Sequence, residues 1–509
     1  MAADDGEGNH VVHEHSSGLH FLVVSYGLQS HVNPGRVLAQ RLARLGGGVT
    51  NNGGSILATL SVPVATHRRM FPSLAGAADE TTTTDGVISY VPYSNGFDDG
   101  STPKSPKEWD RSCRATSRSL SALLARFAAG GRPVTCVVCT LVVPGVLDVV
   151  REHGRHGVPL AVYWIQPATV LATYYHYFHG YGELIADAAH AMDPTYEVSL
   201  PELGRHCRLR VRDLPSFLVD SHTDNAETTN KFPQELYEYM DQWRPRVLVN
   251  TSYELEADAL MEMERHLDIF PIRPVVRTSS AVEDPPAQIH LFKHDNVDKK
   301  RYMDWLGAHR DKTVVYVSFG SVTKCTKLQM EEVVRGLRQC GRPHLLVVRK
   351  DGLEEEDDDG LQLQEVSTQD DEMGMVVDWC DQLEVLSHPA VGCFVTHCGW
   401  NSTLEAVVSG VPIVGVPKTF DQPTNMYLME VEWTTGVRGE CDSEGVLTGT
   451  ELARCIKMVM GEGTQAMAMR ERAGAMKEMA RERADAGGLA ERKLRDFVKT
   501  FQAHERDGT

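Results

Sequence analysis

Short apolar runs alternate with amphipathic stretches along most of the chain. The first run, residues 20–25, is apolar enough for a buried strand, and residues 37–45 then repeat apolar side chains every three or four positions, which is the period of a helix. Three glycines at 46–48 end this helical pattern. A strand followed by a loop and a helix is the opening of a Rossmann-like α/β unit.

The same alternation continues in a first series of elements that ends near residue 250. A helix is predicted at 120–127, and further buried strands are predicted at 55–64, 86–93, 134–141, 159–164 and 246–250. Strands that alternate with helices favour a parallel sheet covered by helices on both faces. Residues 278–298 are polar, contain prolines and have weak periodicity, so we predict a linker there.

A second series of the same character begins at Lys312. It has a predicted helix at 328–340 and predicted strands at 313–319, 345–349, 375–379, 391–395 and 412–416. Ligands of such sheets bind beyond the carboxyl ends of the strands. We therefore predict an α/β protein with a disordered leader at 1–18, Rossmann-like domains at 19–277 and 299–485, and a charged C-terminal helix at 486–509.

Composition limits the classes of protein to which the chain can belong. Its 509 residues exceed what a single hydrophobic core usually holds, and 51 basic against 70 acidic residues give a net charge of −19. Such a charge disfavours nucleic acid and anionic membranes as partners. The longest apolar run, 133–147, contains two prolines and is too short for a membrane span, and the acidic first ten residues lack the apolar core of a secretory signal.

Cysteine usage indicates a reducing compartment. The 11 cysteines are scattered, and only Cys136 and Cys139 have CxxC spacing, inside a predicted strand. One such pair does not complete a zinc site, and an odd, scattered set does not make a disulfide framework. We therefore expect a soluble, cytoplasmic protein.

The segment 379–422 carries the densest set of polar and aromatic residues. Within it a predicted strand runs into His397, Gly399 permits a tight turn, and a helix starts directly afterwards. The exposed N–H groups and the dipole of a helix N-terminus bind anions, so a diphosphate would fit here without a metal. A structural alternative is that Ser402 and Glu405 form a capping box, which needs no ligand.

The 44 residues of this segment resemble the signature box of the plant family-1 UDP-dependent glycosyltransferases almost throughout. Other pieces match the family in the same order and extend the resemblance to about residues 19–500, namely 24–34 around His31, 213–217, 247–256 and 315–321. The sequence WIQPATV at 164–170 and the aromatic run at 174–181 resemble the subgroup that contains anthocyanidin 5-O-glucosyltransferases and crocetin or hormone glucosyltransferases.

The resemblance implies the GT-B arrangement, in which two Rossmann-like domains face each other across a cleft. It places the UDP-sugar on the C-terminal domain and the acceptor on the N-terminal one, and it packs the helix at 486–509 back against the N-terminal domain. The implied reaction is an inverting transfer of glucose from UDP-glucose to a hydroxyl or carboxylate of a small plant metabolite, such as a flavonoid, another phenolic or a hormone-like compound. We expect a monomeric enzyme with no metal, no cofactor besides the donor substrate and no stable membrane insertion.

The resemblance also assigns roles within the donor site. It implies that the uridine is held by Trp379, which stacks on uracil, by the backbone of Cys380, and by Gln382 and Glu405 at the ribose. The residues implied for the diphosphate are Ser321, His397, Asn401 and Ser402. Those implied for the sugar are Trp400, Asp421 and Gln422, the last of which suits glucose.

Two positions depart from the family pattern. Most members have tryptophan at the place of Thr419, so the sugar subsite is expected to be reshaped there. The family also has glycine where Arg273 stands, and we assign this arginine no function.

His31 takes the place of the family's general base. An imidazole, with an ordinary pKa of about 6.5, suits proton removal at neutral pH. The usual partner in the family is an aspartate directly after the strand at 134–139, but this chain has Thr140 there, which carries no charge to stabilise an imidazolium. Asp148 lies eight residues further on, and we expect it to be a solvated or capping residue of the next helix.

The missing aspartate leaves open a second reading, a non-catalytic protein that binds nucleotide sugars. Turnover of UDP-glucose with and without phenolic acceptors would separate the two. A dehydrogenase would need GxGxxG after a strand, and a nucleophilic hydrolase would need GxSxG; the sequence contains neither.

Overall fold

A computed structural model describes residues 18–46, 56–74, 82–141, 143–152, 157–190, 193–200, 208–219, 226–272, 296–320, 325–349, 373–482 and 488–506. Within these residues the chain forms an eight-stranded sheet, a six-stranded sheet and a small two-stranded sheet. Residues 1–17 of the leader predicted at 1–18 and residues 278–295 of the predicted linker lie outside the described residues. The last residues of the predicted linker, 296–298, begin a helix.

The first large sheet is built from the N-terminal half of the chain. Its strands lie in the order β10-β9-β6-β5-β1-β2-β4-β3, and all neighbours are parallel except β3 and β4. The strands of this half, including the separate antiparallel pair β7–β8, are β1 (Leu19–Val24), β2 (Ile56–Pro63), β3 (Thr83–Thr84), β4 (Ser89–Tyr93), β5 (Cys136–Thr140), β6 (Leu160–Trp164), β7 (Glu197–Val198), β8 (Leu209–Arg210), β9 (Arg246–Val249) and β10 (Asp268–Pro271).

The second large sheet is wholly parallel. Its strand order is β13-β12-β11-β14-β15-β16. The strands are β11 (Val314–Ser318), β12 (His344–Val347), β13 (Gly374–Val377), β14 (Val391–Thr396), β15 (Ile413–Gly415) and β16 (Gly436–Arg438).

Helices connect the strands and cover the sheets. In chain order they are α1 (Gln29–Gly46), α2 (Val64–Met70), α3 (Pro106–Ala129), α4 (Val146–Glu152), α5 (Ala168–His176), α6 (Gly182–His190), α7 (Ser216–Val219), α8 (Ala226–Trp243), α9 (Tyr253–Met263), α10 (Asn296–Gly307), α11 (Lys327–Cys340), α12 (Gln382–Ser387), α13 (Trp400–Ser409), α14 (Gln422–Tyr427), α15 (Gly449–Met460), α16 (Thr464–Glu482) and α17 (Leu489–Arg506).

The first strand shows why both faces of the first sheet are apolar. Side chains alternate across a strand, and Phe21 and Val23 pack in one core cluster while Leu22 and Val24 pack in another. All four are fully buried. This is the continuous apolar run expected of a parallel sheet covered on both sides.

Helix α17 packs against the first sheet, although it follows the second sheet in sequence. Phe497 lies between Phe21 of β1 and Phe270 of β10, with ring centroids 5.9 and 5.6 Å away. Arg41 of α1 forms an ion pair of 2.8 Å with Glu491. The chain therefore returns to its first half after completing the second.

Two helices are longer than the hydrophobic pattern predicted. Helix α1 begins at Gln29 rather than near residue 37, and it contains Pro34. Helix α3 spans 24 residues, with Ser105 accepting a hydrogen bond from the N–H of Glu108 as its N-cap. In both cases the added turns carry few apolar residues, so periodicity alone underestimates them.

Among the described helices, none is both long and apolar enough to cross a membrane.

Candidate active site

The carboxyl end of β14 leads directly into the predicted anion site. After the strand ends at Thr396, Cys398 adopts a left-handed φ of 64° and Gly399 becomes the N-cap of α13. The N–H of Thr403 donates the first hydrogen bond of the helix, to the carbonyl of Gly399 at 2.9 Å. The N–H groups that precede it in the first turn have no helical carbonyl to bond to. Such groups, together with the helix dipole, can bind an anion, so the geometry here is compatible with the predicted diphosphate site.

His397 lies between two glycines. A Cβ atom on Gly320, after β11, or on Gly399 would stand 2.6 Å from Nε2 of His397, closer than any side chain tolerates. Burial lowers the pKa of His397 to about 4. The imidazole is therefore neutral at pH 7 and can donate one N–H to a phosphate oxygen.

The structural alternative of a capping box is wrong. The N-cap of α13 is Gly399, and Ser402 lies inside the first turn. The side chains of Ser402 and Glu405 instead meet Gln382, whose Nε2 donates to Ser402 Oγ at 2.8 Å and to Glu405 Oε2 at 2.7 Å. Three predicted donor-site residues thus share one hydrogen-bond network.

Glu405 is held towards its protonated form. Burial raises its pKa to about 7, despite the hydrogen bond that Gln382 donates and with a smaller contribution from the charge of Asp381. A carboxylate here is a strong acceptor for two hydroxyl groups of a ribose, and such bonds would offset the cost of burying its charge.

The indole of Trp379 follows β13 and remains partly exposed, as a stacking platform requires. Cys380, next to it, is buried. Tyr316 of β11 contacts Cys380 and Gln382: its hydroxyl is 3.2 Å from Cys380 Sγ and 3.4 Å from Gln382 Oε1. Tyr316 was not foreseen from the sequence because it lies within an apolar strand pattern.

The predicted sugar-binding pair lies at the start of α14. Gln422 accepts hydrogen bonds through Oε1 from the N–H groups of Lys418 and Thr419, at 2.9 and 3.1 Å. Because its oxygen is held by the loop, the amide NH₂ of Gln422 is directed away from those N–H groups, 3.4 Å from Thr419 Oγ1. Thr419, the residue that departs from the family, thus contacts Gln422 through both its backbone and its hydroxyl.

Asp421 is buried beside Gln422. It accepts a hydrogen bond of 2.7 Å from Nδ2 of Asn425. Burial raises the pKa of Asp421 to about 6, although hydrogen bonds, including one from Gln166, act to lower it. Gln166, in the loop before α5, is a residue of the first half that the sequence analysis did not assign. Its position as the one amide in WIQPATV was a signal that could have identified it.

Two residues that were predicted to bind the UDP-sugar form hydrogen bonds with the first half of the molecule. The indole of Trp400 is buried, and its N–H donates to the carbonyl of Asn250 at 3.0 Å. A sugar contact from Trp400 would therefore have to come from its backbone. Nδ2 of Asn401 donates to the carbonyl of Ser30, also at 3.0 Å.

Pro34 explains why the Ser30 carbonyl is available. In a regular helix this carbonyl would accept from the N–H four residues later, but residue 34 is proline and has no N–H. Asn401 supplies the missing donor from the other half. The contact joins the N-terminus of α13 to the residue that precedes His31.

His31 and Thr140 meet at the carboxyl ends of β1 and β5. Nδ1 of His31 is 3.5 Å from Thr140 Oγ1, a long contact, and burial lowers the pKa of His31 to about 4. The residue after Thr140, Leu141, has a left-handed φ of 37°, which is uncommon for a branched side chain. Asp148 lies in α4 and pairs with Arg151 on the surface at 3.9 Å, as expected of a solvated residue.

Ser321 and Arg273 lie outside the described residues. Within the described ranges, no group of three or more histidine, cysteine, aspartate or glutamate side chains is arranged to hold a metal ion.

Comparison with known proteins identifies the family. Residues 284–470 match the family model described as "UDP-glucoronosyl and UDP-glucosyl transferase". The chain is 37% identical to a chloroplastic crocetin glucosyltransferase of Gardenia jasminoides, over 94% of this chain and 97% of the relative. It is also 37% identical to an anthocyanidin 3-O-glucoside 5-O-glucosyltransferase of Verbena hybrida, over 95% and 98%.

The solved structure of Os79 from O. sativa in complex with UDP has the same fold. It superposes with a TM-score of 0.76 at 28% identity and covers 94% of this chain and 100% of the other. The predicted GT-B fold, of two Rossmann-like domains, is confirmed by this likeness. Since the relatives match almost from end to end, the chain belongs to the plant family-1 UDP-dependent glycosyltransferases, in the subgroup of the crocetin and anthocyanidin 5-O-glucosyltransferases, and it is an enzyme that transfers a sugar from a UDP-sugar to a small molecule.

Proposed function

We propose that the protein is an inverting glucosyltransferase that uses UDP-glucose and acts on an acidic oxygen of a small plant metabolite. One observation carries the proposal. His31 follows Ser30, whose carbonyl receives Asn401 from the N-terminus of α13, so the candidate base and the candidate diphosphate site are neighbours. An acceptor oxygen beside His31 would then face the anomeric carbon from the side opposite the leaving group.

The leaving diphosphate would be stabilised by groups that are already in place. The first turn of α13 presents N–H groups and the positive end of its dipole, and His397 adds a hydrogen-bond donor. Preoriented donors of this kind stabilise developing charge without reorganisation. We therefore propose that catalysis requires no metal and no cofactor besides the donor, which activity unchanged by a chelator would support.

Glucose is favoured as the sugar by the pair Asp421 and Gln422. A buried carboxylate can accept from sugar hydroxyls, and the NH₂ of Gln422, whose oxygen is held by the loop, can donate to one. The glucosyltransferase names of the two relatives agree with this choice. Because Thr419 replaces the usual tryptophan beside this pair, rates with a panel of UDP-sugars should be measured to determine how strictly glucose is selected.

The environment of His31 indicates the class of acceptor. Thr140 offers a hydroxyl at 3.5 Å where a carboxylate would stabilise an imidazolium, and burial lowers the pKa of His31. Such a base removes a proton readily only from an acceptor that gives it up easily. Carboxylic acids, with a pKa of about 4, arrive ionised at pH 7, and phenols are more acidic than alkyl hydroxyls. We propose phenolic and carboxylic acceptors, among them flavonoid-like compounds.

The test compares a phenolic acceptor with an aromatic carboxylic acid in the parent and in His31→Ala. General base catalysis contributes about 10²–10⁴-fold, so kcat/KM for the phenol should fall by that order while the carboxylate retains a larger fraction of its rate. Thr140→Asp should raise the rate with the phenol relative to the carboxylate. Equal losses for both acceptors in His31→Ala would show that His31 positions the acceptor rather than removing its proton. Absence of any turnover with UDP-glucose would contradict the proposed donor.

We further propose a cytoplasmic, monomeric enzyme. All the cysteines in the described part of the chain are unbridged, which suits a reducing compartment. Because the Gardenia relative is named chloroplastic, a fluorescent fusion imaged in leaf cells should decide between the cytoplasm and the plastid, and size-exclusion chromatography should decide the oligomeric state.

A further inference from the structure

The segment 208–219 belongs to the first half by sequence, but its polar side chains bind the second half. Asp213 is fully buried and forms an ion pair of 2.6 Å with Arg438 at the end of β16. The hydroxyl of Thr424, in α14, donates to the carbonyl of Asp213 at 2.7 Å. On the surface, Arg212 pairs with Glu440 at 2.8 Å. A buried ion pair broken on one side is costly, so the segment is firmly fixed to the elements around α14.

The contact nearest the sugar subsite is made by Ser216. Its N–H donates to the carbonyl of Phe420 at 2.9 Å, and its hydroxyl accepts from the N–H of Phe420, also at 2.9 Å. Both backbone groups of Phe420 are therefore bound by one residue that lies 204 positions away. The ring of the neighbouring Phe217 also meets the ring of Phe420 edge to face at 5.2 Å.

Phe420 needs such support because its backbone is strained. Its φ is 61°, in the left-handed region, which costs a residue with a side chain about 1–2 kcal/mol. Strained residues of this kind persist only where neighbouring groups hold them. The two hydrogen bonds from Ser216 supply that hold.

The strained residue directly precedes the pair assigned to the sugar. Phe420 lies between Thr419, whose N–H bonds Gln422 Oε1, and Asp421, which is buried at the start of α14. A change of φ at residue 420 would turn the peptide that follows it and so move Asp421. The orientation of the sugar-binding pair thus depends on the conformation of Phe420.

We propose that Ser216, which comes from the acceptor half of the chain, is a positioning residue for the sugar subsite and acts by holding Phe420 in its left-handed conformation. The proposal rests on the proposed function in one respect, namely that Asp421 and Gln422 hold the sugar. It makes recognition of the glucosyl group depend on a segment outside the donor domain.

The experiment measures the affinities of UDP and UDP-glucose by calorimetry in the full-length parent and in Ser216→Ala. UDP lacks the sugar, so its affinity should change by less than about twofold. The affinity for UDP-glucose should fall by about fivefold or more, as expected for one lost hydrogen bond and a relaxed loop. Ser216→Thr, which keeps the hydroxyl, should restore the parent ratio of the two affinities.

Thr424→Val is the matched control. It removes a buried hydrogen bond from the same segment without touching Phe420, so it should lower the thermal midpoint and leave the affinity ratio unchanged. If Ser216→Ala and Thr424→Val change the ratio equally, or if Ser216→Ala weakens both ligands alike, Ser216 has only a structural role and the proposal is overturned.

A second variant tests the backbone mechanism. Asparagine adopts the left-handed conformation more easily than phenylalanine, so Phe420→Asn added to Ser216→Ala should recover part of the affinity for UDP-glucose. No recovery would overturn the proposed mechanism. Gln422→Ala tests the sugar-site assignment separately from the role of Ser216. If Gln422→Ala leaves the ratio of the two affinities unchanged, the sugar-site assignment is contradicted. If Gln422→Ala changes the ratio and Ser216→Ala does not, only the role of Ser216 is contradicted.

Discussion

Desolvation raises the pKa of the Glu405 carboxyl group to near neutrality. Its pKa of about 7 means that both the protonated and the ionised form of Glu405 are populated near neutral pH. Ribose hydroxyls that donate to the ionised form would lower this pKa in the complex. If Glu405 binds the ribose as proposed, donor binding and proton release are linked.

We expect the affinity for UDP-glucose to fall as the pH is lowered through about 7. Above that pH Glu405 is already ionised before the donor binds, so the affinity is constant. Below that pH binding must remove a proton from Glu405, which costs up to about tenfold in affinity per pH unit. Calorimetry between pH 6.5 and 8.5, a range chosen to stay above the pKa of about 6 of Asp421, measures the effect.

Glu405→Gln is the control for this pH dependence. It keeps the size of the side chain but has no proton to lose, so its affinity should be weaker and nearly independent of pH over the same range. A slope as steep in Glu405→Gln as in the parent would show that another group is responsible.

At the scale of single residues, the sequence predicted which side chains lie together better than it predicted their hydrogen-bond partners. Gln382, Ser402 and Glu405 were all assigned to the donor, and the structure places them in one network. The direction of the Trp400 indole was not foreseen, because its partner is a backbone carbonyl of a strand end 150 residues away. A backbone acceptor leaves no mark in the sequence.

The turns after β11 and β14 both border the imidazole ring of His397. Each contributes a glycine, Gly320 or Gly399, whose missing side chain leaves room for the imidazole of His397. The position of that ring is thus fixed by two elements of the second sheet rather than by hydrogen bonds alone.

We predict that Gly320→Ala abolishes most donor binding. Its φ of 77° gives an alanine a backbone penalty of about 1 kcal/mol, and its Cβ would also displace His397. Loss of a hydrogen bond to the diphosphate should reduce UDP affinity by about tenfold or more, measured by calorimetry.

Gly341→Ala is the matched control for Gly320→Ala. Gly341 ends α11 with a φ of 63°, and a Cβ there would meet no atom within 4 Å. It should lose similar thermal stability and keep its affinity for UDP. Equal loss of affinity in both variants would contradict the steric account.

Helices and strands were predicted well where the local pattern of apolar residues determines their ends. They were predicted less well where contacts from another part of the molecule determine those ends. The five predicted strands of the second sheet all exist, with ends shifted by a few residues, because each is a continuous apolar run. The start of α1 was misplaced because Pro34 and the polar first turn resemble a loop. The donor that satisfies Ser30 there, Asn401, comes from the second half, which local patterns do not report.

For the molecule as a whole, α17 completes the core of the first sheet. Phe497 is fully buried and touches aromatic rings of β1, β10 and its own helix. Phe501, one turn on, also receives the guanidinium of Arg246 at 4.5 Å from its ring centroid. The resemblance implied that the helix returns to the first domain, but the face it would use could not be read from a charged segment.

Phe497→Ala should destabilise the first sheet by about 3–5 kcal/mol, seen as a lower thermal midpoint. Below that midpoint the predicted donor site, whose residues follow strands of the second sheet, should still bind UDP. Lys499→Ala, an exposed change in the same helix, should shift the midpoint little. An unchanged midpoint in Phe497→Ala would mean that α17 contributes no core.

The return of α17 also affects how the chain folds while it is being made. Phe21 leaves the ribosome 476 residues before Phe497, a delay of roughly 25–100 s at 5–20 residues per second. For that time the nascent first sheet has an uncovered apolar face beside β1 and β10. The first sheet therefore keeps an apolar face open to aggregation until the late helix covers it, and slower synthesis lengthens that period.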